Sequence, residues 1–197
     1  MNNITWDWAL FEFLNFDGPA WLDNTMTKVS GMTVWIPLYA LIIYLVWRRY
    51  SWRGIIAFLV ALGAAILIAD LAAGIFKHQG PLKDLWASFP ARLRPMHTPE
   101  GIDFATNGYY TKNLYGTVSG HTSTIVAIAL LSSVVVCRKW FTVLMVCVTM
   151  LICYSRIYLA CHFPQDILLG ATVGIVAGLI GVTLFRYGLL LGKRNCK

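Results

Sequence analysis

Charge is what this chain has least of. Only 13% of its 197 residues are charged and 58% are hydrophobic, against a charged share of about 25% in soluble domains. An ordinary water-soluble globule is therefore excluded. Disulfide and zinc signatures are missing as well. The five cysteines, Cys137, Cys147, Cys153, Cys161 and Cys196, form no Cys-x-x-Cys pair, and at least three lie inside apolar runs. They read as packing residues, neither a disulfide framework nor a metal site. No stretch combines a basic start, a short apolar core and a small-residue cleavage site, so the first spans are expected to direct insertion themselves. There is no internal repeat and no low-complexity tract.

Long apolar runs are what the chain does have. Five stretches, 31–47, 54–76, 118–136, 140–158 and 165–187, are long enough or nearly long enough to cross a bilayer, which predicts an all-α polytopic membrane bundle of five spans. The segment 1–30 alternates aromatics with Asp7, Glu12, Asp17 and Asp23. So many acids predict an amphipathic helix lying on the outer leaflet, with a sixth span as the alternative. In the last span Gly170, Gly174 and Gly178 recur every four residues. Such a face admits close helix packing, inside the monomer or, as the other reading, at a homo-oligomer seam.

Lys and Arg outnumber Asp and Glu by 16 to 9, a net charge of +7. In a soluble protein this balance would suggest nucleic acid; here the positions of the charges matter more than their sum. Arg48, Arg49 and Arg53 share one short turn, Arg138 and Lys139 another, and Lys193, Arg194 and Lys197 the tail 188–197, with no acid among them. These elements are expected to be cytoplasmic. The loop 78–117, the connection 159–164 and the N-terminal segment then face the opposite side, which with Asp166 at the outer start of the last span holds eight of the nine acids.

The reactive polar residues gather at the outer ends of the spans. Lys77 ends the second, and Arg92 and Arg94-Pro95 lie in the long loop. Ser119-Gly120-His121 opens the third span, Ser155-Arg156 closes the fourth, and His162 with Asp166 opens the fifth. Fixed cations and a helix N-terminus suit a phosphate dianion. A neutral imidazole can attack phosphorus, a carboxylate beside it fixes its tautomer, and a second imidazole can protonate the leaving oxygen. Each residue alone has a plainer role: Asp166 as a helix-start acid, Arg156 as a C-terminal cation, Ser119 as an N-cap, either histidine as a packed interface residue. Their joint spacing favours the chemical role.

Ser155-Arg156, five residues, His162, three residues and Asp166 resemble the third signature of the type 2 phosphatidic acid phosphatases (PAP2), a family that includes relatives of the acid phosphatases and vanadium haloperoxidases. Ser119-Gly120-His121 resembles the second signature, with Val118 where a proline is usual, and Arg94-Pro95 resembles the end of the first. The usual lysine position before Arg94 is Ala87; Lys77 is read as the displaced lysine, with Lys83 as its competitor. The resemblance runs from residue 70 to 187. It implies a PAP2/haloperoxidase-like core within a catalytic domain 31–187, and a lipid phosphatase needing no metal or cofactor. His162 would be the nucleophile, Asp166 its orienting acid and His121 the proton donor. Lys77, Arg94, Ser119, Gly120 and Arg156 would hold the phosphoryl oxygens, with Asp70, Lys83 and Arg92 around them.

Asp70, an acid inside an apolar run and seven residues before Lys77, is expected to pair with a cation of the site. Trp86, Phe89, Tyr109 and Tyr110 are expected either to form an interfacial lid or to be plain connector residues; His78 and His97 match no signature. A membrane lipid is the expected partner, in a bacterial inner membrane with the site on the periplasmic side. Undecaprenyl diphosphate leads as substrate, ahead of phosphatidic acid, phosphatidylglycerol phosphate and lipid A. The competing classes are a phosphate-lipid transporter or scaffold that binds without turnover, and a haem protein ligated by His121 and His162.

Overall fold

The computed structural model describes residues 5–99 and 105–194; Cys196 and Lys197 of the expected tail lie outside them. Within these residues the protein is helical apart from one isolated antiparallel bridge, Leu93 to Tyr115. The helices are α1 (Thr5–Leu14), α2 (Ala20–Ser30), α3 (Ile36–Arg49), α4 (Trp52–Phe76), α5 (Gly120–Val136), α6 (Lys139–Tyr158) and α7 (Pro164–Arg194). The boundary expected at residue 187 is no break, since α7 runs on to Arg194.

Three helices are long and apolar enough to cross a membrane: Trp52–Phe76, Lys139–Tyr158 and Pro164–Leu190. Five were expected. Helix α5 is apolar but has 17 residues, about 25 Å at 1.5 Å per residue against a hydrocarbon core of about 30 Å. The run expected at 31–47 forms the segment Thr33–Arg49, which meets Ala20–Ser30 at a 71° bend and would add a fourth span only if the bent pair is taken as one.

Small residues let the central helices approach. Ala61, Ala65, Ala69 and Ala73 on α4 are fully buried at four-residue spacing, and a Cβ on Gly181 of α7 would lie 3.1 Å from that of Ala65. The face of Gly170, Gly174 and Gly178 packs on α5: a Cβ at each would come within 2.7 Å of Ser119 O, 2.5 Å of Ser123 O and 2.8 Å of Leu130 Cδ2. That face is covered inside the chain by α5. Leu67, Val143, Val146, Met150, Ile175 and Leu179 point outward and exposed, an apolar surface suited to lipid.

The two ends of the bundle differ. At the basic end Arg49 Nη1 donates to Val136 O at 2.8 Å, tying the end of α3 to that of α5. At the other end α1 and α2 pack over the α6–α7 connection. The expectation that the acids of the N-terminal helix face water is wrong for Asp7, which is fully buried beside Phe11. The rings of Trp8 and Phe11 dock on Phe163, with centroids 4.9 and 5.1 Å away, and this contact turns Asp7 inward while Glu12 stays exposed.

Candidate active site

Three local devices build the site. The first ends α6. Ala160 takes a left-handed φ of 50°, and Cys161 N–H donates back to Arg156 O at 2.9 Å. This motif closes a helix and reverses the chain, at about 1 kcal/mol of backbone cost for a residue with a Cβ. Only residues 159–163 separate α6 from α7, so His162 and Asp166 are set rigidly beside Arg156. The second device opens α5: Ser119 Oγ accepts from Thr122 Oγ1 at 3.0 Å and from Thr122 N–H at 3.4 Å. The third pins the long loop: Arg94 N–H donates to Leu114 O and Gly116 N–H to Arg92 O, each at 2.8 Å, and Arg92 N–H to Thr117 Oγ1 at 2.8 Å. These bonds flank the Leu93–Tyr115 bridge and hold Arg94 over His162.

His162 is 1% exposed and engaged through both ring nitrogens. Nε2 lies 3.1 Å from Arg94 Nη1, and Nδ1 lies 3.4 Å from Asp166 Oδ2. A guanidinium can only donate, so Nε2 is the acceptor and the proton sits on Nδ1, facing the carboxylate. Burial, reinforced by Arg94, Arg156 and Lys77, holds His162 well below the usual histidine range. The ring is neutral, with the lone pair of Nε2 on the side of the cations. Asp166 Oδ2 also accepts from Phe163 N–H at 3.0 Å, which fixes the carboxylate. Nε2 faces a guanidinium in a ring of cations, a setting that suits an anion and not a haem iron.

The cations surround this pair. Arg94 is buried and donates to Cys161 O at 3.0 Å. Arg156, also buried, donates to Ser30 Oγ and lies 5.4 Å from the Tyr109 ring centroid. Among the described residues Arg94 Nε and Arg156 Nε have no hydrogen-bond partner, so both guanidinium groups keep donors for an anion. Lys77 caps α4 with its ammonium beside α5, where a Cβ on Gly120 would lie 3.0 Å from Nζ. Burial, with Arg94 next, lowers Lys77 to about 8. Among the described residues no group of three or more His, Cys, Asp or Glu is placed to hold a metal ion.

Lys77, Arg94, Gly120, His121 and His162 line one cavity of about 620 Å³, which continues between Val29, Trp35, Ile66, Leu67, Ile125 and Ile128. A polar mouth with an apolar wall suits a phosphate carried on a lipid. His121, in the first turn of α5, is exposed to this space. Lys83 is exposed on the loop and does not line the cavity, so Lys77 is the lysine that joins the cluster. Ser119 is fully buried, its hydroxyl held by Thr122, so its share in anion binding reduces to starting the helix whose first residues line the cavity. Asp70 also lines the cavity but makes no direct ion pair among the described residues; it acts on Lys77 only through space, since it remains open to water. His78 and His97 pin the loop through Phe89 O and Thr111 O, each at 2.8 Å. Trp86 and Phe89 stack on Phe76 at 5.8 and 5.1 Å.

Two residues of the cluster were not singled out in the sequence. A Cβ on Gly116 would sit 3.0 Å from Asp166 Oδ2 and 3.4 Å from His162 Nδ1, so a side chain there would press on that pair. Ser30, at the end of α2, engages Arg156 from 126 residues away. Neither has a local signal, because each is defined by what folds against it.

The state of Lys77 has a kinetic consequence. The ammonium is charged below about pH 8 and neutral above it, so one phosphate-holding cation is lost as pH rises through that value. The expected result is a fall of kcat/KM on the alkaline side, about tenfold per unit at its steepest. Lys77→Arg, charged throughout, should move that limb upward; a profile identical in both proteins would remove Lys77 from substrate binding.

Residues 58–189 match the family model described as the PAP2 superfamily. The chain is 29% identical over 180 residues to a lipid A 4'-phosphatase of Porphyromonas gingivalis, covering 90% of this chain and 72% of that protein. It is 27% identical to a lipid A 4'-phosphatase of Bacteroides thetaiotaomicron, covering 87% and 73%, and 23% identical to an undecaprenyl-diphosphatase of Sulfolobus acidocaldarius, covering 94% and 82%. The crystal structure of Aquifex aeolicus LpxE shares the fold, with a TM-score of 0.64 at 23% identity over 89% of this chain and 93% of that one. The chain belongs to the PAP2 superfamily and is an integral-membrane lipid phosphatase, a hydrolase of phosphoric esters.

Proposed function

We propose that this protein removes a phosphate from lipid A through a phosphohistidine formed on His162. The observation that carries the chemistry is the neutral His162, its Nδ1 proton facing Asp166 and its Nε2 lone pair beside Arg94 at a cavity that Lys77 and His121 also line. Substrate phosphorus approaches Nε2 and the cations hold its oxygens. The Nε2–P bond forms as the bond from phosphorus to the leaving oxygen breaks, and His121 supplies the proton that oxygen needs. Water then attacks the phosphohistidine, giving up its proton to His121, and inorganic phosphate leaves.

Sequence reasoning placed undecaprenyl diphosphate first. Two relatives named for lipid A are more similar to this chain than the one named for undecaprenyl diphosphate, at 29% and 27% against 23% identity, and this reverses the order. The basic turns at the end of the bundle away from the cavity support a bacterial inner membrane with the site on the outer face and the C-terminus in the cytoplasm.

The test is phosphate release by the purified protein in detergent with EDTA present, from lipid A, undecaprenyl diphosphate, phosphatidic acid and phosphatidylglycerol phosphate in parallel. Lipid A should turn over fastest, with mass spectrometry showing loss of one phosphate. Faster turnover of undecaprenyl diphosphate would restore the original order, and binding without release from any lipid would favour a transporter or scaffold.

A further inference from the structure

Asp7 is fully buried, on a helix that lies outside the stretch 58–189 matched by the family model. A carboxylate withdrawn from water is costly unless donors and an opposite charge satisfy it. Both are present. Oδ1 accepts from the backbone N–H of Gln165 at 2.8 Å, and Oδ2 pairs with Arg92 Nη1. Gln165 immediately precedes Asp166. Arg92 in turn lies flat on the Phe163 ring, 3.6 Å from its centroid, and its Nη1 stands 4.0 Å from Asp166 Oδ1. One guanidinium is therefore placed between two carboxylates, hydrogen-bonded to Asp7 and, at 3.4 Å, to Gln165 Oε1, but not to Asp166.

We propose that Asp7 is a positioning residue for the His162–Asp166 pair: it holds Arg92 off Asp166 and pins the first turn of α7, which leaves Asp166 Oδ2 to the imidazole. The proposal rests on the reading of that pair as the reacting one. Arg92 deprived of Asp7 would close the 4.0 Å gap and form the bidentate pair that guanidinium and carboxylate favour. The carboxylate would then turn from His162 Nδ1, weakening the hydrogen bond that sets the tautomer. Helix α1 thus completes the active site.

The test is a double-mutant cycle in the full-length protein, measured as phosphate release from the panel lipid that the wild type hydrolyses fastest. Asp7→Asn should lower kcat by about 10- to 100-fold, as loss of a partner that orients a histidine typically does, with little change in KM. Asp7→Glu should recover part of the loss. Asp7→Asn/Arg92→Gln removes both charges together and should be more active than Asp7→Asn alone, an outcome that simple loss of α1 docking does not produce. Should Asp7→Asn not fold, Arg92→Gln against the double variant tests the same link from the loop. Wild-type kcat in folded Asp7→Asn, or a double variant no better than the single ones, overturns the proposal. Activity retained in Asp166→Asn, or no release by the wild type from any panel lipid, overturns the underlying reading and the proposal with it.

Discussion

Replacing His162 with alanine should abolish phosphate release while leaving a folded protein. The imidazole presents its Nε2 lone pair beside Arg94 while Asp166 faces its Nδ1, and without it no covalent intermediate forms. What would remain is an anion site that positions the substrate beside water. For a nucleophile of this kind the expected loss in kcat is on the order of 10⁴-fold or more, about 5.5 kcal/mol of barrier at 1.36 kcal/mol per decade. Folding should survive because Arg94 keeps its bond to Cys161 O at 3.0 Å and Asp166 keeps Phe163 N–H at 3.0 Å. Phosphate release alongside gel filtration and a thermal melt checks both halves. A folded variant within tenfold of the wild type would sink the mechanism.

His121→Asn should lose about 10²- to 10⁴-fold in kcat on a lipid phosphate, the range of a positioned proton donor. Its side chain has no hydrogen-bond partner among the described residues and is exposed to the cavity, free to meet a leaving oxygen. The diagnostic is dependence on the leaving group. A lipid alkoxide needs a proton to depart, whereas the nitrophenolate of 4-nitrophenyl phosphate hardly does. The variant should therefore lose far more on the lipid than on the aryl ester. Equal losses on both would assign His121 to binding and leave the proton donor unidentified.

The parts of this site that were legible beforehand share one property: their geometry is local. Arg156, His162 and Asp166 lie within eleven residues that the helix end at Ala160 and the start of α7 hold together, so spacing along the chain becomes spacing in the site. Ser119, Gly120 and His121 are likewise one helix start. The lysine was harder. Lys77 and Lys83 are close in sequence, and only the fold shows that one caps α4 beside Gly120 while the other is exposed. Span counting was limited for a related reason. Hydropathy registers apolar length and is blind to a backbone bend, so the run from residue 31 gave no sign that its helix meets Ala20–Ser30 at 71°.

By itself, then, the amino-acid sequence determined that this protein is a helical membrane domain with a polar, cation-rich cluster at one end of its spans. Apolar run length, the sidedness of basic residues and the short signature spacings are all properties of neighbouring residues. Tertiary structure alone decided which lysine joins the cluster, that Gly116 lies against Asp166 and His162, that the glycine face of α7 is covered by α5, and that Asp7 reaches Arg92 beside Asp166. Each of these joins residues tens to more than a hundred positions apart, and such contacts arise only when α1, the long loop and the α6–α7 connection pack around the same few side chains.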